Sequence, residues 1–356
     1  MKFGFLTSGG DCAGLNAVMR AIALYLDRNV KNAEFLGIPD GYGGLVRGEG
    51  VPMKASDFAG LLNVGGTVLG TRRMPFKMMT SEEEDGETRL DKLCANYKKL
   101  GLDCLFTLGG AGTHRTAALL CAEGCNVIGL PKTIDNDIYG TDVTFGFHTA
   151  VDVAAEALDR VRTTSESHGR TMLVEIMGNK AGWLTLYAGI AGGADAILIP
   201  EIPFSIDRLC ESLEADRRAG KRCSIVAVAE GAVLAEEAPY RRKDRAFARA
   251  ERGETTVTAH LAEVIGERTG TETRATVLGY VQRGGNPSAY DRVLCTRLGS
   301  YAGMLARQGR FGVTVAVSRG EITFNALADI AGKYKLVDPD SEIVRAAEGI
   351  GVCFGR

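Results

Sequence analysis

The sequence predicts an α/β protein of two open, mostly parallel-sheet domains with the active site in the cleft between them. Three observations carry that prediction. Short apolar runs recur along the chain, separated by stretches whose apolar residues fall at helical spacing. Continuous apolar strands alternating with amphipathic helices are the mark of parallel sheets covered on both faces. The chain has 356 residues, more than one core usually encloses. Its 46 glycines cluster at strand-to-helix turns, well above the ordinary ~7% usage, as expected where backbone must approach a ligand closely.

Taken in order, residues 2–10 (KFGFLTSGG) read as a strand that ends in two glycines, and Leu15, Val18, Met19, Ile22 and Leu26 then repeat at helical spacing. Further strands are expected at 104–108, 127–130, 172–177, 196–200, 224–229 and 313–317. A helix carrying Val151, Ala154, Ala155, Leu158 and Val161 on one face is expected among them. Residues 82–91 read as an acidic surface stretch, and 235–252, rich in Glu, Arg and Lys, as a solvated helix and loop. In open α/β sheets ligands bind outside the carboxyl ends of the strands, so the site is sought there.

Composition excludes several classes. Hydrophobic residues are 45%, charged residues 24% and the net charge is -2: an ordinary globular mixture with no bulk attraction to nucleic acid or membrane. No apolar run reaches bilayer-spanning length, and the apolar stretch at the start is too short for a signal peptide. Nine cysteines without CxxC pairs read as reduced, mostly buried thiols, not as a disulfide framework or a zinc site. His114, His148, His168 and His260 lack metal-ligand spacing and read as structural or as supports behind a site.

Four stretches carry chemistry. TSGGDCAGLNA (7–17) sets Gly9, Gly10 and Gly14 between the first strand and the first helix; it is either a phosphate cradle or a packing turn. LFTLGGAGTHRTA (105–117) repeats that design. LPKTIDND (130–137) places Asp135 and Asp137 two apart. In extended backbone they share a side, and one can take a hydroxyl proton while the other helps to hold Mg2+; an Asx-turn is the alternative. Lys132 adds a cation for phosphate charge. Arg170, Arg274 and Arg283, in TSESHGR (164–170) and TETRATVLGYVQRGG (271–285), suit bidentate phosphate contacts, though each alone reads more readily as a surface arginine.

Together with GIPDGYGGL, GGTVLGTRR and EIMGNKAGWLTLYAGIAGGAD, these motifs resemble the 6-phosphofructokinase family from Lys2 to about Gly303. The resemblance implies a cytoplasmic, glycolytic kinase that transfers phosphate from ATP, or alternatively pyrophosphate, to the 1-hydroxyl of fructose 6-phosphate with Mg2+ as cofactor. It implies Asp135 as general base, Thr133 and Lys132 beside the transferring group, and Asp137 on the metal. Gly10, Tyr42, Arg73, Gly110, Gly112 and Thr113 would bind the donor. Thr133, Asp135, Asp137, Arg170, Met177, Gly178, Glu230, Arg274 and Arg283 would bind the sugar phosphate. Arg170 and Arg274 would come from a neighbouring subunit, which implies a homodimer or homotetramer with shared sites. The implied domains are 1–138 with 256–306 for the donor, and 139–255 with 307–356 for the sugar phosphate.

The chain departs from the family pattern. Ala111 stands where an aspartate usually faces Mg2+, leaving Asp11 and Asp137 as metal candidates and a weakly active or non-catalytic ligand-binding homologue as an alternative. Gly112 goes with ATP, where aspartate goes with pyrophosphate, while Lys132 is found in pyrophosphate users and in some ATP users. Asn179 and Tyr280 replace an Arg and a His of many bacterial relatives.

Overall fold

The computed structural model describes residues 1–251, 253 and 256–356. The chain divides into two compact units, Met1–Thr149 with Arg283–Lys335, and Ala150–Gln282 with Leu336–Arg356.

The first unit holds a seven-stranded sheet. Its strands are β1 (Lys2–Ser8), β2 (Glu34–Ile38), β3 (Val51–Met53), β4 (Cys104–Gly109), β5 (Val127–Pro131), β10 (Val313–Ser318) and β11 (Glu321–Ala326), in the order β11-β10-β5-β4-β1-β2-β3. The five inner strands pair in parallel and the two edges pair antiparallel. β1, β4 and β5 are almost wholly buried, which is why they read as unbroken apolar runs. Phe3, Phe5, Phe35, Phe58 and Phe106 pack ring on ring across β1, β2 and β4. The register sets Ser8 beside Gly109 and Gly109 beside Pro131. Three carboxyl ends therefore finish level, and the order reverses between β1 and β4, the topological switch point where such sheets bind ligands.

The second unit holds a parallel four-stranded sheet of β6 (Thr171–Ile176), β7 (Ala196–Leu198), β8 (Ser224–Ala229) and β9 (Thr273–Val277), in the order β7-β8-β6-β9. Leu173, Leu198, Val226 and Val228 pack with Leu209, Leu213, Leu261 and Ile265 of the covering helices Ile206–Arg218 and Val257–Thr269.

The unit boundaries differ from those read off the sequence. β9 and the helix Val257–Thr269 belong to the second unit, because β9 pairs with β6 and the helix packs over that sheet. β10 and β11 belong to the first, because β10 extends the sheet beside β5. Thr255, at the expected boundary, and Arg252, at the end of the expected solvated stretch, lie outside the described residues; within that stretch Arg242–Glu251 is a helix. Among the described residues no helix is long and apolar enough to cross a membrane.

Candidate active site

The level ends of β1, β4 and β5 put three loops side by side. After β1, the Gly9 amide donates to Arg72 O at 3.3 Å, and the Thr71 hydroxyl donates to Gly9 O at 2.8 Å. A Cβ at Gly10 would displace the Arg283 guanidinium, whose Nη1 donates to Asp11 O at 3.1 Å. Residues assigned to donor and to sugar phosphate thus meet within one unit.

After β4, Gly110 caps the helix Ala111–Ala122 with no side-chain hydrogen bond and no acidic residue in the first turn. The helix therefore presents its partial positive charge and its amides without a built-in anion. Gly109 cannot carry a Cβ without striking Thr113. Gly112 is exposed and open around its α-carbon, and Ala111 is half-buried. Two buried side chains fix this turn from behind. His114 lies between Gly110 O (3.0 Å) and Thr314 Oγ1 (2.8 Å), and burial pushes its pKa down to about 4. Tyr42 is 1% exposed, and its hydroxyl donates to Thr113 O at 2.9 Å. The Tyr42 ring is core, and it braces the turn from inside. Arg73 is exposed in the loop beside Arg72.

After β5, the Lys132 ammonium is 4% exposed and donates to Gly10 O. Burial lowers its pKa; Cys12, Asp135 and Asp11 act to raise it and Arg283 to lower it. Lys132 is therefore the cation that links the β1 turn to the Asp135 loop. Thr133 Oγ1 accepts the Asp135 amide at 3.0 Å, and Thr133 O accepts the Thr144 hydroxyl at 2.7 Å. Asn136 has a positive φ of 51°, a conformation that asparagine tolerates. Its side-chain oxygen accepts the Thr144 amide at 3.0 Å. The extended alternation expected for Asp135 and Asp137 does not run through Asn136. Each carboxylate instead lies within electrostatic reach of its own ammonium, Asp135 of Lys132 and Asp137 of Lys335.

In the second unit Ile176 and Ala229 stand in register, so Met177 and Gly178 leave the sheet beside Glu230. Glu230 N donates to Ile176 O at 2.9 Å, and Gly231 N to Gly178 O at 3.2 Å. Met177 N donates to Gln282 Oε1 at 3.1 Å. Arg170 and Arg274 lie at the opposite, amino end of the same sheet, where Thr171 faces Thr273. Glu272 joins them, with its carboxylate 2.8 Å from Arg170 Nε and 2.7 Å from Arg274 Nη2. The six residues of β6 separate Arg170 from Met177, on the order of 20 Å at the strand rise. Tyr280 is 81% exposed beyond β9.

Sequence reasoning passed over Glu272, Gln282, Thr144 and Lys335. Glu272 carried the one readable signal, since it stands just before β9, two residues from Arg274, and extended chain puts such a pair on one side.

A profile of the phosphofructokinase family matches residues 2–306. The chain is 50% identical over 99% of its length to the ATP-dependent 6-phosphofructokinase of Spirochaeta thermophila, covering 97% of that protein. The chain belongs to the phosphofructokinase family. It is also 45% identical over 96% of its length to the pyrophosphate–fructose 6-phosphate 1-phosphotransferase of Amycolatopsis methanolica, covering 97% of it, so the relatives within this family include both donor classes. Among solved structures, that of Pichia pastoris phosphofructokinase in the T-state matches with a TM-score of 0.80 at 31% identity, over 93% of this chain and 35% of that one. The chain spans about a third of the Pichia chain.

Proposed function

We propose that the protein is an ATP-dependent 6-phosphofructokinase whose donor cradle is formed by the turns after β1 and β4 and whose general base is Asp135. One observation carries the reading. Lys132, just past the end of β5 and three residues before Asp135, hydrogen-bonds to Gly10 O and lies within electrostatic reach of Asp135 and Arg283. Cradle and base are thereby tied into one unit.

The chemistry follows from the residues. The helix N-terminus at Ala111–Thr113 and the turn Gly9–Asp11 bind the donor phosphates through amides and partial charge. Lys132 and Arg283 balance negative charge there. Asp135 accepts the proton of the 1-hydroxyl as that oxygen becomes the nucleophile, and Thr133 holds the Asp135 amide. Met177, Gly178 and Glu230 take the sugar phosphate.

The donor set fits Mg2+, which is held through one or two carboxylates plus substrate phosphates and not by an all-protein cage. Among the described residues no group of three or more His, Cys, Asp or Glu could hold a metal. Asp137 would hold it, with Asp11 the other carboxylate at the cradle, and the ion would offset phosphate charge.

Two further assignments follow. Gly112, open and uncharged at the first turn of the helix, favours ATP. Arg170 and Arg274 serve a second copy of the chain, because they lie a strand's length from Met177 and Glu230 of their own sheet. The exposed Val277, Tyr280 and Val281 next to the edge strand β9 supply an apolar face for such a copy.

Asp135→Ser tests the reading. It is expected to lower kcat by about 10^3-fold while fructose 6-phosphate still binds by calorimetry. Wild-type turnover in this variant overturns the assignment.

A further inference from the structure

The family profile ends at residue 306, yet the Asp135 loop is held by chain that comes after it. Asp142 N donates to Val317 O at 2.8 Å, Val317 N to Thr141 Oγ1 at 2.9 Å, and Asn325 Nδ2 to Gly140 O at 2.7 Å. The strongest hold comes last. Ile138 pairs with Tyr334 in an antiparallel bridge. Lys335 N donates to Asp137 O at 2.9 Å, and its ammonium donates to Thr141 O at 2.9 Å and Asp142 O at 2.8 Å. One residue thus grips the loop on both sides of its turn.

The choice of lysine matters. Its bonds to two carbonyls are charge-assisted, roughly twice as strong as neutral ones. The charge also lies within electrostatic reach of Asp137 and Asp142. A neutral donor of similar length would supply only part of the grip and none of the charge.

We propose that Lys335 is a positioning residue for phosphoryl transfer. Through Asp137 O and the carbonyls of Thr141 and Asp142 it fixes the loop that carries Asp135, so residues outside the matched family stretch set the geometry of the base. The proposal rests on the assignment of Asp135 as base.

Full-length Lys335→Met, Lys335→Gln and Lys335→Arg are compared with Asp135→Ser by steady-state kinetics and thermal unfolding. Lys335→Met is expected to lower kcat by about 10^2-fold, the scale of an ångström-sized misplacement of a catalytic group. Its KM for fructose 6-phosphate stays within about two-fold, because Met177, Gly178, Glu230 and Arg283 lie outside the 137–142 loop that Lys335 holds. Lys335→Arg, which keeps charge and donors, restores most of kcat, and Lys335→Gln falls between. This ordering also decides the matter if Lys335→Met does not fold. Unchanged kcat in the Met and Gln variants, or a loss shared equally by the Arg variant, overturns the proposal. So does a KM rise that matches the kcat loss. If Asp135→Ser collapses turnover while the Lys335 variants do not, only the role of Lys335 fails. If Asp135→Ser keeps wild-type turnover, the base assignment fails and the proposal with it.

Discussion

The carboxyl ends of β1, β4 and β5 and the amino ends of β6 and β9 are built on opposite plans. At the first, the polar groups that shape the loops are tied to their own unit: Gly9 to Arg72 and Thr71, Gly110 to His114, Lys132 to Gly10, Asn136 to Thr144. At the second, two arginines are held by one exposed carboxylate, Glu272, whose pKa is lowered chiefly by its hydrogen bond to Arg170. Exposed ion pairs of this kind contribute little to stability, so the arginines can change partner at little cost. The contrast teaches a division of labour. The first region is held in place by its own bonds, and the second keeps positive charge at the surface, which the proposed function assigns to a phosphate on a second copy.

The largest effect that sharpens this comparison after loss of Asp135 is at Ala111. Ala111→Asp is expected to raise kcat by up to about 10^2-fold if the missing carboxylate is what limits charge handling at the cradle. The same change puts an acid in the first turn of the Ala111–Ala122 helix, worth about 0.3–1 kcal/mol of favourable interaction with the helix end. Urea unfolding therefore shows no loss of stability. An unchanged kcat in a stable variant means that the cradle works fully without that carboxylate.

A smaller effect separates the two regions directly. Arg170→Ala and Arg274→Ala each raise KM for fructose 6-phosphate by about 10-fold, the scale of one charged phosphate contact. ATP kinetics change little. Mixing Arg274→Ala with Asp135→Ser subunits after reversible dissociation restores activity, because one hybrid site then holds both an intact Asp135 and an intact Arg274. No restoration in verified hybrids would place the arginines outside a shared site.

The smallest effect concerns stability. The folded pKa of His114 is depressed to about 4 from the ordinary 6.5. The unfolded chain therefore binds more protons between those values. The contribution of neutral His114 is complete above pH 6.5 and is lost as pH falls toward 4. The loss amounts to about 2 kcal/mol at pH 5. Urea unfolding at pH 7 and pH 5 should show that extra loss in the wild type and not in His114→Gln. Equal slopes in both would mean that His114 is not held neutral.

How much of this was legible depended on burial. β4, β5 and β8 are buried on both faces, and their apolar runs show them to within a residue of their ends. β3 has only three residues, and β9 and β11 are edge strands with exposed or half-exposed positions, so no clean period marks them. The missed pairing of β9 with β6 and of β10 with β5 moved the domain boundaries. At the site, glycine turns and the LPKTIDND stretch were readable because their chemistry is local. The positive φ of Asn136 was not, because it depends on a bond to Thr144, and the enclosure of Tyr42 was not, because it depends on packing from other elements. Lys335 reaches Asp137 across nearly two hundred residues of chain, and nothing near it in sequence announces that contact.

The central claim is that the cradle and Asp135 form a working ATP site despite Ala111. The most direct test is turnover of the purified protein on fructose 6-phosphate with Mg2+, with ATP and pyrophosphate in parallel and the phosphorylated position of the product identified. The account predicts the 1,6-bisphosphate with ATP and little or none with pyrophosphate. Product with pyrophosphate alone, or no product with either donor while both donor and sugar phosphate bind, would contradict it.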